Sequence, residues 1–153
     1  NTIIIMPSNI GSSLILEHKG NADELKDQLF EELRRHFRPE FLNRVDETLI
    51  FHALDKSQIL NIVSIQLRRL EKRLRDQDIA LEVTDAAKQL IAEDGYDPSF
   101  GARPLKRAII RLVETPVSRQ IIAGEIEPNS KLVIDRKGNE LTFTATALPE
   151  TVE

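Results

Sequence analysis

Three short segments of this chain place polar groups where neutral or apolar ones would be easier to accommodate. The first is Ser8-Asn9, at the point where the apolar run Ile3-Ile4-Ile5-Met6 turns polar. An asparagine amide both donates and accepts, so Asn9 can hold a water or a phosphate oxygen. Taken alone, the pair is better explained as a turn or a helix cap. The second segment is Phe37-Arg38-Pro39-Glu40-Phe41-Leu42-Asn43-Arg44-Val45-Asp46. Phe37 and Phe41 bracket a rigid proline, and Arg44 follows, close to Asp46 and Glu47. A fixed loop that presents a guanidinium suits planar recognition of carboxylate or phosphate. Spacing alone favours the plainer alternative, an Arg–Asp surface pair worth under about 1 kcal/mol. The third segment is Gly95-Tyr96-Asp97-Pro98-Ser99-Phe100-Gly101-Ala102-Arg103-Pro104-Leu105. A glycine-containing loop running into a helix start favours anions, through free backbone N–H groups and the helix dipole. Arg103 in the first turn opposes that dipole, and a locally unfavourable choice of this kind marks a functional position.

Other chemistries find little support. The chain has no Cys, which excludes disulfides, thiol catalysis and Cys-ligated zinc. His18, His36 and His52 are too widely spaced for a metal-ligand motif, so no metal site is expected. Carboxylate pairs such as Glu31-Glu32 are what 25 Asp and Glu in 153 residues produce by chance. No Walker-type phosphate loop and no dinucleotide fingerprint occurs. Lys and Arg number 21 and the net charge is −4, the reverse of the basic excess that a phosphate-backbone binder shows. The arginine-rich stretch from Arg68 to Arg75 is interrupted by Glu71 and lacks stacking aromatics. Nucleic acid is therefore not expected as a partner, and a solvated or protein-contacting face is. No apolar run approaches the roughly 18 residues of a membrane span, and no signal peptide is visible. No membrane partner is expected, and a reducing, cytosolic location is.

These segments need elements to position them. Residues 2–6 read as a strand buried on both faces, as in a parallel sheet between helix layers. Such a strand cannot be the whole of its sheet, which suggests a piece of a longer protein. Leu25, Leu29, Phe30 and Leu33 predict a helix over 22–36, ended by Pro39. Residues 48–51 are a second short strand candidate, and residues 52–55 look like a subdomain boundary. Ile59, Val63, Leu67, Leu70 and Leu74 draw one apolar stripe over a long helix, about 56–76, with Asp55 or Ser57 to cap it. Residues 80–84 alternate as an edge strand should, and Thr84 or Asp85 caps a helix ending near Glu93. A further helix spans about 103–123, with Pro104 tolerated in its first turn and Pro116 expected to kink or divide it. A hairpin over 131–144 and a frayed tail follow. The fold class is α/β, the tail of a sheet domain, followed by a small α+β subdomain of helices and about three strands.

In this order the three segments closely resemble the C-terminal part of the Clp family of AAA+ unfoldase ATPases, from Thr2 to about Phe143. The most specific pieces are Pro7 to Ser12, Phe37 to Glu47, and Gly95 to Leu105. The resemblance implies that residues 1–52 are the C-terminal piece of the large P-loop-type ATPase subdomain. It makes residues 53–146 the small C-terminal subdomain and 147–153 a tail. By the same resemblance Asn9 is the sensor-1 residue that positions the attacking water. Arg44 is the arginine finger, acting in trans on a neighbouring subunit's ATP. Arg103 is the sensor-2 arginine on the phosphates of its own subunit, with Gly101 and Ala102 beside it. ATP with Mg²⁺ is the implied cofactor of the whole protein. This piece, without a phosphate loop or acidic catalytic strand, is expected neither to bind ATP tightly nor to hydrolyse it. The chain departs from the family at Pro7, where a Thr is usual, and so loses a hydroxyl and an N–H just before Asn9.

Clp members that feed a peptidase carry an extra loop with an apolar-Gly-Phe tip after the sensor-1 strand. Residues 13–29 hold no Gly-Phe dipeptide and only Gly20, which resembles the disaggregase branch instead. The partners so implied are the other subunits of a homohexameric ring, unfolded or aggregated client proteins, and co-chaperones. A peptidase-coupled unfoldase and a non-catalytic assembly module remain the alternatives.

Overall fold

The computed structural model describes residues 1–18, 20–97 and 99–148 and divides into two compact units, Asn1–Ala53 and Leu54–Glu153. It combines helices with a three-stranded mixed sheet, consistent with an α/β fragment carrying a small C-terminal α+β subdomain; among the described residues the sheet lies in the second unit. Of the expected tail, residues 149–153 lie outside the described residues.

In the first unit, α1 (Ser12–Glu17) leads to α2 (Ala22–His36), whose bounds coincide with those expected. Asn21 caps α2 by accepting from the Asp23 N–H at 3.3 Å. Asp23 and Glu24 in the first turn and Arg34, Arg35 and His36 in the last all complement the helix dipole. Leu25 and Leu29 are its buried stripe. A single turn, α3 (Pro39–Leu42), follows. The two strands expected here do not form. Ile3, Ile4 and Ile5 are 77–89% exposed, and Leu49 and Phe51 are exposed as well. A strand exists only when a neighbour takes its backbone N–H and C=O groups. Every strand among the described residues belongs to the second unit, so these apolar runs have no ladder to join.

The second unit is organised by α4 (Lys56–Arg75), which buries Ile59, Val63, Leu67, Leu70 and Leu74 as its periodicity demands. Each such side chain contributes about 1.5–3 kcal/mol on burial, far above the few tenths by which helix propensities differ. Asp55 opens α4 with a capping box: its carboxylate accepts from the Gln58 N–H at 2.8 Å, and its own N–H donates to Gln58 Oε1 at 2.9 Å. The Ser57 hydroxyl, and then the Gln58 N–H, hold the Asp55 carboxyl below the ordinary carboxylate value. Then come β1 (Ile79–Val83), α5 (Asp85–Gly95), α6 (Arg103–Ile109), a π-helical turn (Ile110–Glu114) and α7 (Thr115–Ile122). The hairpin β2 (Ser130–Lys137) and β3 (Glu140–Ala147) closes the unit. The sheet order is β1-β2-β3. β1 lies parallel to β2 with Ile79 opposite Ser130, and β3 antiparallel with Phe143 opposite Ile134.

Pro116 divides the last long helix, as expected, but by a wide turn and not by a break. Lacking an N–H, it cannot bond the carbonyl four residues back, and the π turn ends two residues before it. Thr84 ties sheet to helix: its Oγ1 accepts from the Ala87 N–H at 3.2 Å and donates to Asp135 Oδ1 at 2.7 Å. That hydroxyl, followed by the Arg136 N–H, lowers the Asp135 carboxyl below its usual range. No helix among the described residues is long and apolar enough to cross a membrane.

Candidate functional site

In the first unit, Asn9 stands just ahead of α1, and Gly11, at φ 73°, is the cap residue of that helix. Ser8 Oγ accepts from the Ile10 N–H at 3.2 Å, and the Asn9 carbonyl accepts from the Ser12 N–H at 3.2 Å. Ser8 is therefore the turn residue. The Asn9 amide is exposed and makes no hydrogen bond among the described residues.

Arg44 is held by successive tight turns. Arg38 leaves α2 in an extended conformation and caps α3, where Pro39 takes the first position, which needs no N–H. The Arg38 carbonyl accepts from Phe41 and Leu42, that of Pro39 from Asn43, and that of Phe41 from Arg44 at 3.0 Å. Phe37 and Phe41 stack with centroids 5.0 Å apart and planes at 28°, an arrangement worth about 0.5–1.5 kcal/mol beyond its burial. The single turn α3 was not expected; its signal is Pro39 itself, which both ends one helix and begins another. The Arg44–Asp46 pair that spacing favours does not form among the described residues. Residues two apart on a turn point to different sides. The Arg44 guanidinium is exposed, on a stiffened support, with no ion pair among the described residues.

Arg103 is placed by the α5–α6 connection. Gly95 ends α5 at a point where a Cβ would lie 2.7 Å from Leu105 Cα, so only glycine allows α6 to come this close. Asp97 organises the loop. Its Oδ1 accepts from the N–H groups of Ser99 (2.7 Å) and Phe100 (3.2 Å), and its carbonyl accepts from Gly101 at 2.6 Å. Gly101 adopts φ 63°, a conformation that costs glycine least. By composition Asp97 is simply part of a loop. Its signal is the Asp-Pro-Ser order of an Asx turn. Pro98 itself lies outside the described residues.

The free N–H groups suggested for this helix start are largely committed. Gly101 donates to Asp97, Arg103 to Phe100 at 3.4 Å and Leu105 to Ala102 at 3.1 Å, while Pro104 has none to give. What remains for an anion is the guanidinium of Arg103, exposed and without an ion pair among the described residues. Within its own unit, each of Asn9, Arg44 and Arg103 thus offers a side-chain amide or guanidinium with no partner among the described residues. These groups match phosphate oxygens.

Residues 54–134 match the family model of the C-terminal, D2-small domain, of ClpB protein. Residues 1–48 match that of the AAA domain (Cdc48 subfamily). The chain is 48% identical over 147 residues to the chaperone protein ClpB 2 of Nostoc sp., covering 94% of this chain and 17% of the relative. It is 51% identical over 138 residues to the chaperone protein ClpB of Clostridium perfringens, covering 88% of this chain and 16% of that protein. With the chaperone protein ClpB of Enterococcus faecalis it shares 44% over 154 residues, 98% of this chain and 18% of the relative. It therefore spans about a sixth of the length of these relatives.

Proposed function

The chain belongs to the ClpB family, and from that premise we propose that it is the end of the second AAA+ module of an ATP-dependent disaggregase. In this reading residues 1–52 complete the large ATPase subdomain, residues 53–146 are its small partner subdomain and 147–153 the tail. The whole protein is a homohexameric ring of the reducing cytosol that acts with co-chaperones on unfolded or aggregated proteins. The observation that carries the reading is the pair of exposed arginines, Arg44 after the α3 turn and Arg103 at the start of α6, each held by its own turns and each without a carboxylate partner among the described residues. An arginine held this way on a surface rich in acids is poised for a ligand with phosphate charge.

Phosphoryl transfer is catalysed chiefly by positioning and charge stabilisation, and these residues divide that work. Bound ATP supplies the phosphoryl group, and Mg²⁺ the neighbouring positive charge. Asn9 orients the attacking water through its amide. Arg44 neutralises charge developing on the phosphoryl oxygens of the adjacent subunit, and Arg103, beside Gly101 and Ala102, binds the phosphates of its own. Pro7 fixes the backbone before Asn9 without the hydroxyl usual there. The short connection through α1 to the start of α2 carries no apolar-Gly-Phe tip, which favours disaggregation over delivery to a peptidase. Alone, the chain lacks the phosphate loop and is inactive.

The test is Arg44→Ala in the full-length parent. Turnover in the assembled ring should fall by about 10³–10⁵ with nucleotide binding largely intact. Normal turnover would remove the finger assignment.

A further inference from the structure

A cleft of about 420 Å³ opens between α4 and the helix formed by α6 and the π turn, wholly within the second unit. Its α4 wall carries Arg69, Lys72 and Arg73, whose spacing places them on one face of the helix. Its other wall carries Lys106, with Ile110 one turn further along. We infer that this cleft is a docking site for an acidic polypeptide segment in which an apolar side chain is flanked by carboxylates.

The charge is the first argument. Four cations face a single carboxylate, Glu114, on a chain whose net charge is −4. Glu114 is already engaged with Arg73 at 2.6 Å, and Arg69, Lys72 and Lys106 have no ion pair among the described residues. Elsewhere on this unit several basic side chains are paired: Arg75 with Glu71 at 2.8 Å, Arg136 with Glu93 at 3.2 Å, Arg111 with Asp94 and Lys131 with Glu82. The cleft gathers Arg69, Lys72 and Lys106 on facing walls, and clustered cations on low-dielectric walls focus field towards an anionic partner.

The shape is the second argument. Ile109 is fully packed, but Ile110 is 42% exposed at the cleft. The π turn that begins at Ile110 carries one residue more than an α turn, which rotates the following side chains and aims Glu114 across at Arg73. Among the described residues no aromatic lines the cleft, so it offers no platform for stacked bases. An apolar floor under a cationic rim selects a peptide whose carboxylates reach the rim while an aliphatic side chain covers Ile110.

The test is fluorescence anisotropy of a short labelled peptide alternating glutamate and leucine, titrated with the whole chain. Saturable binding that weakens with added salt is expected. Arg69→Glu and Lys106→Glu should each weaken it by at least about tenfold, Lys106→Arg should retain it, and Glu114→Gln should tighten it. Far-ultraviolet circular dichroism confirms that each variant is folded, and Glu114→Gln serves where a charge reversal is not. No saturable binding, or equal binding by Lys106→Glu, overturns the proposal. So does equal affinity for a glutamate-only peptide or for inorganic polyphosphate, which would make the cleft a reader of charge alone. Self-association of the chain that Lys106→Glu abolishes also overturns it, since the occupant would then be a second copy.

Discussion

Replacing Gly95 by alanine should destabilise this chain, although helix propensity argues the reverse. Gly95 is the buried last residue of α5. Within a helix, glycine to alanine gains about 0.5–1 kcal/mol. A Cβ at this position would lie 2.6 Å from Leu105 Cδ1, 2.7 Å from Leu105 Cα and 3.1 Å from Ala108 Cβ. The first of these atoms can rotate away. The second is main chain, and it yields only if α6 moves as a body. Forcing a methyl group into a close-packed contact costs about 1–3 kcal/mol, and the main-chain obstacle places this site in the upper part of that range. The net expectation is a loss of about 1–2 kcal/mol. Urea unfolding followed by circular dichroism reads it as a lowered midpoint at unchanged slope. Leu105→Ala alone should cost about 2–5 kcal/mol, because Leu105 is fully buried. The double variant should not rescue Gly95→Ala, since trimming the Leu105 side chain leaves its Cα in place. A neutral or stabilising Gly95→Ala would refute the close-approach argument. The displacement would also move the proposed sensor-2 residue, because Arg103 stands two residues before Leu105.

Thr84→Val should cost about 0.5–2 kcal/mol in the same unfolding assay, by removing the cap of α5 and the hydroxyl that Asp135 accepts from. Asp55 and Asp135 both have carboxyls lowered in the folded state, so the stability they confer is present above the unfolded carboxylate range. It is lost as pH falls below about 4, through their folded values. Unfolding midpoints measured down the acid limb should therefore fall less steeply for Asp55→Asn than for the parent chain; identical slopes would contradict this. Arg103→Ala in the full-length protein should weaken nucleotide affinity by roughly tenfold to a hundredfold, the range for a lost charged hydrogen bond. An unchanged dissociation constant would count against the sensor-2 role.

Local signals were legible in the sequence wherever a segment carries its own partners. The bounds of α2 and the stripe of α4 follow from apolar spacing, and the Asp55 and Thr84 caps from residue type, because a helix satisfies its backbone within itself. The hairpin was legible for the same reason, although the turn expected over 136–139 narrows to Gly138-Asn139, because Arg136 and Lys137 pair with Leu141 and Glu140. Ile3 to Ile5 and residues 48–51 carry strand character but join no ladder among the described residues, and pairing is not a local property. Pro116 announced an interruption, but its form, a π turn that keeps Val113 and Val117 buried, was set by packing against the core. At the candidate site, the residues alone single out Arg103, set against its helix dipole, whereas Asn9 and Arg44 stand out through the family resemblance. The stacking of Phe37 on Phe41 and the Asp97 loop, which stiffen the two arginine supports, became visible only in three dimensions.

The central claim is that Arg44 completes a neighbour's ATP site, and subunit mixing tests it most directly. One full-length population carries Arg44→Ala with its own phosphate loop intact. The other keeps Arg44 but has the phosphate-loop lysine replaced by alanine, and the first nucleotide module is silenced in both. Each population alone should be inactive. Mixed rings should regain ATP turnover, because intact loops then sit beside subunits that still present Arg44. Rings that stay inactive after verified mixing would contradict a finger acting between subunits.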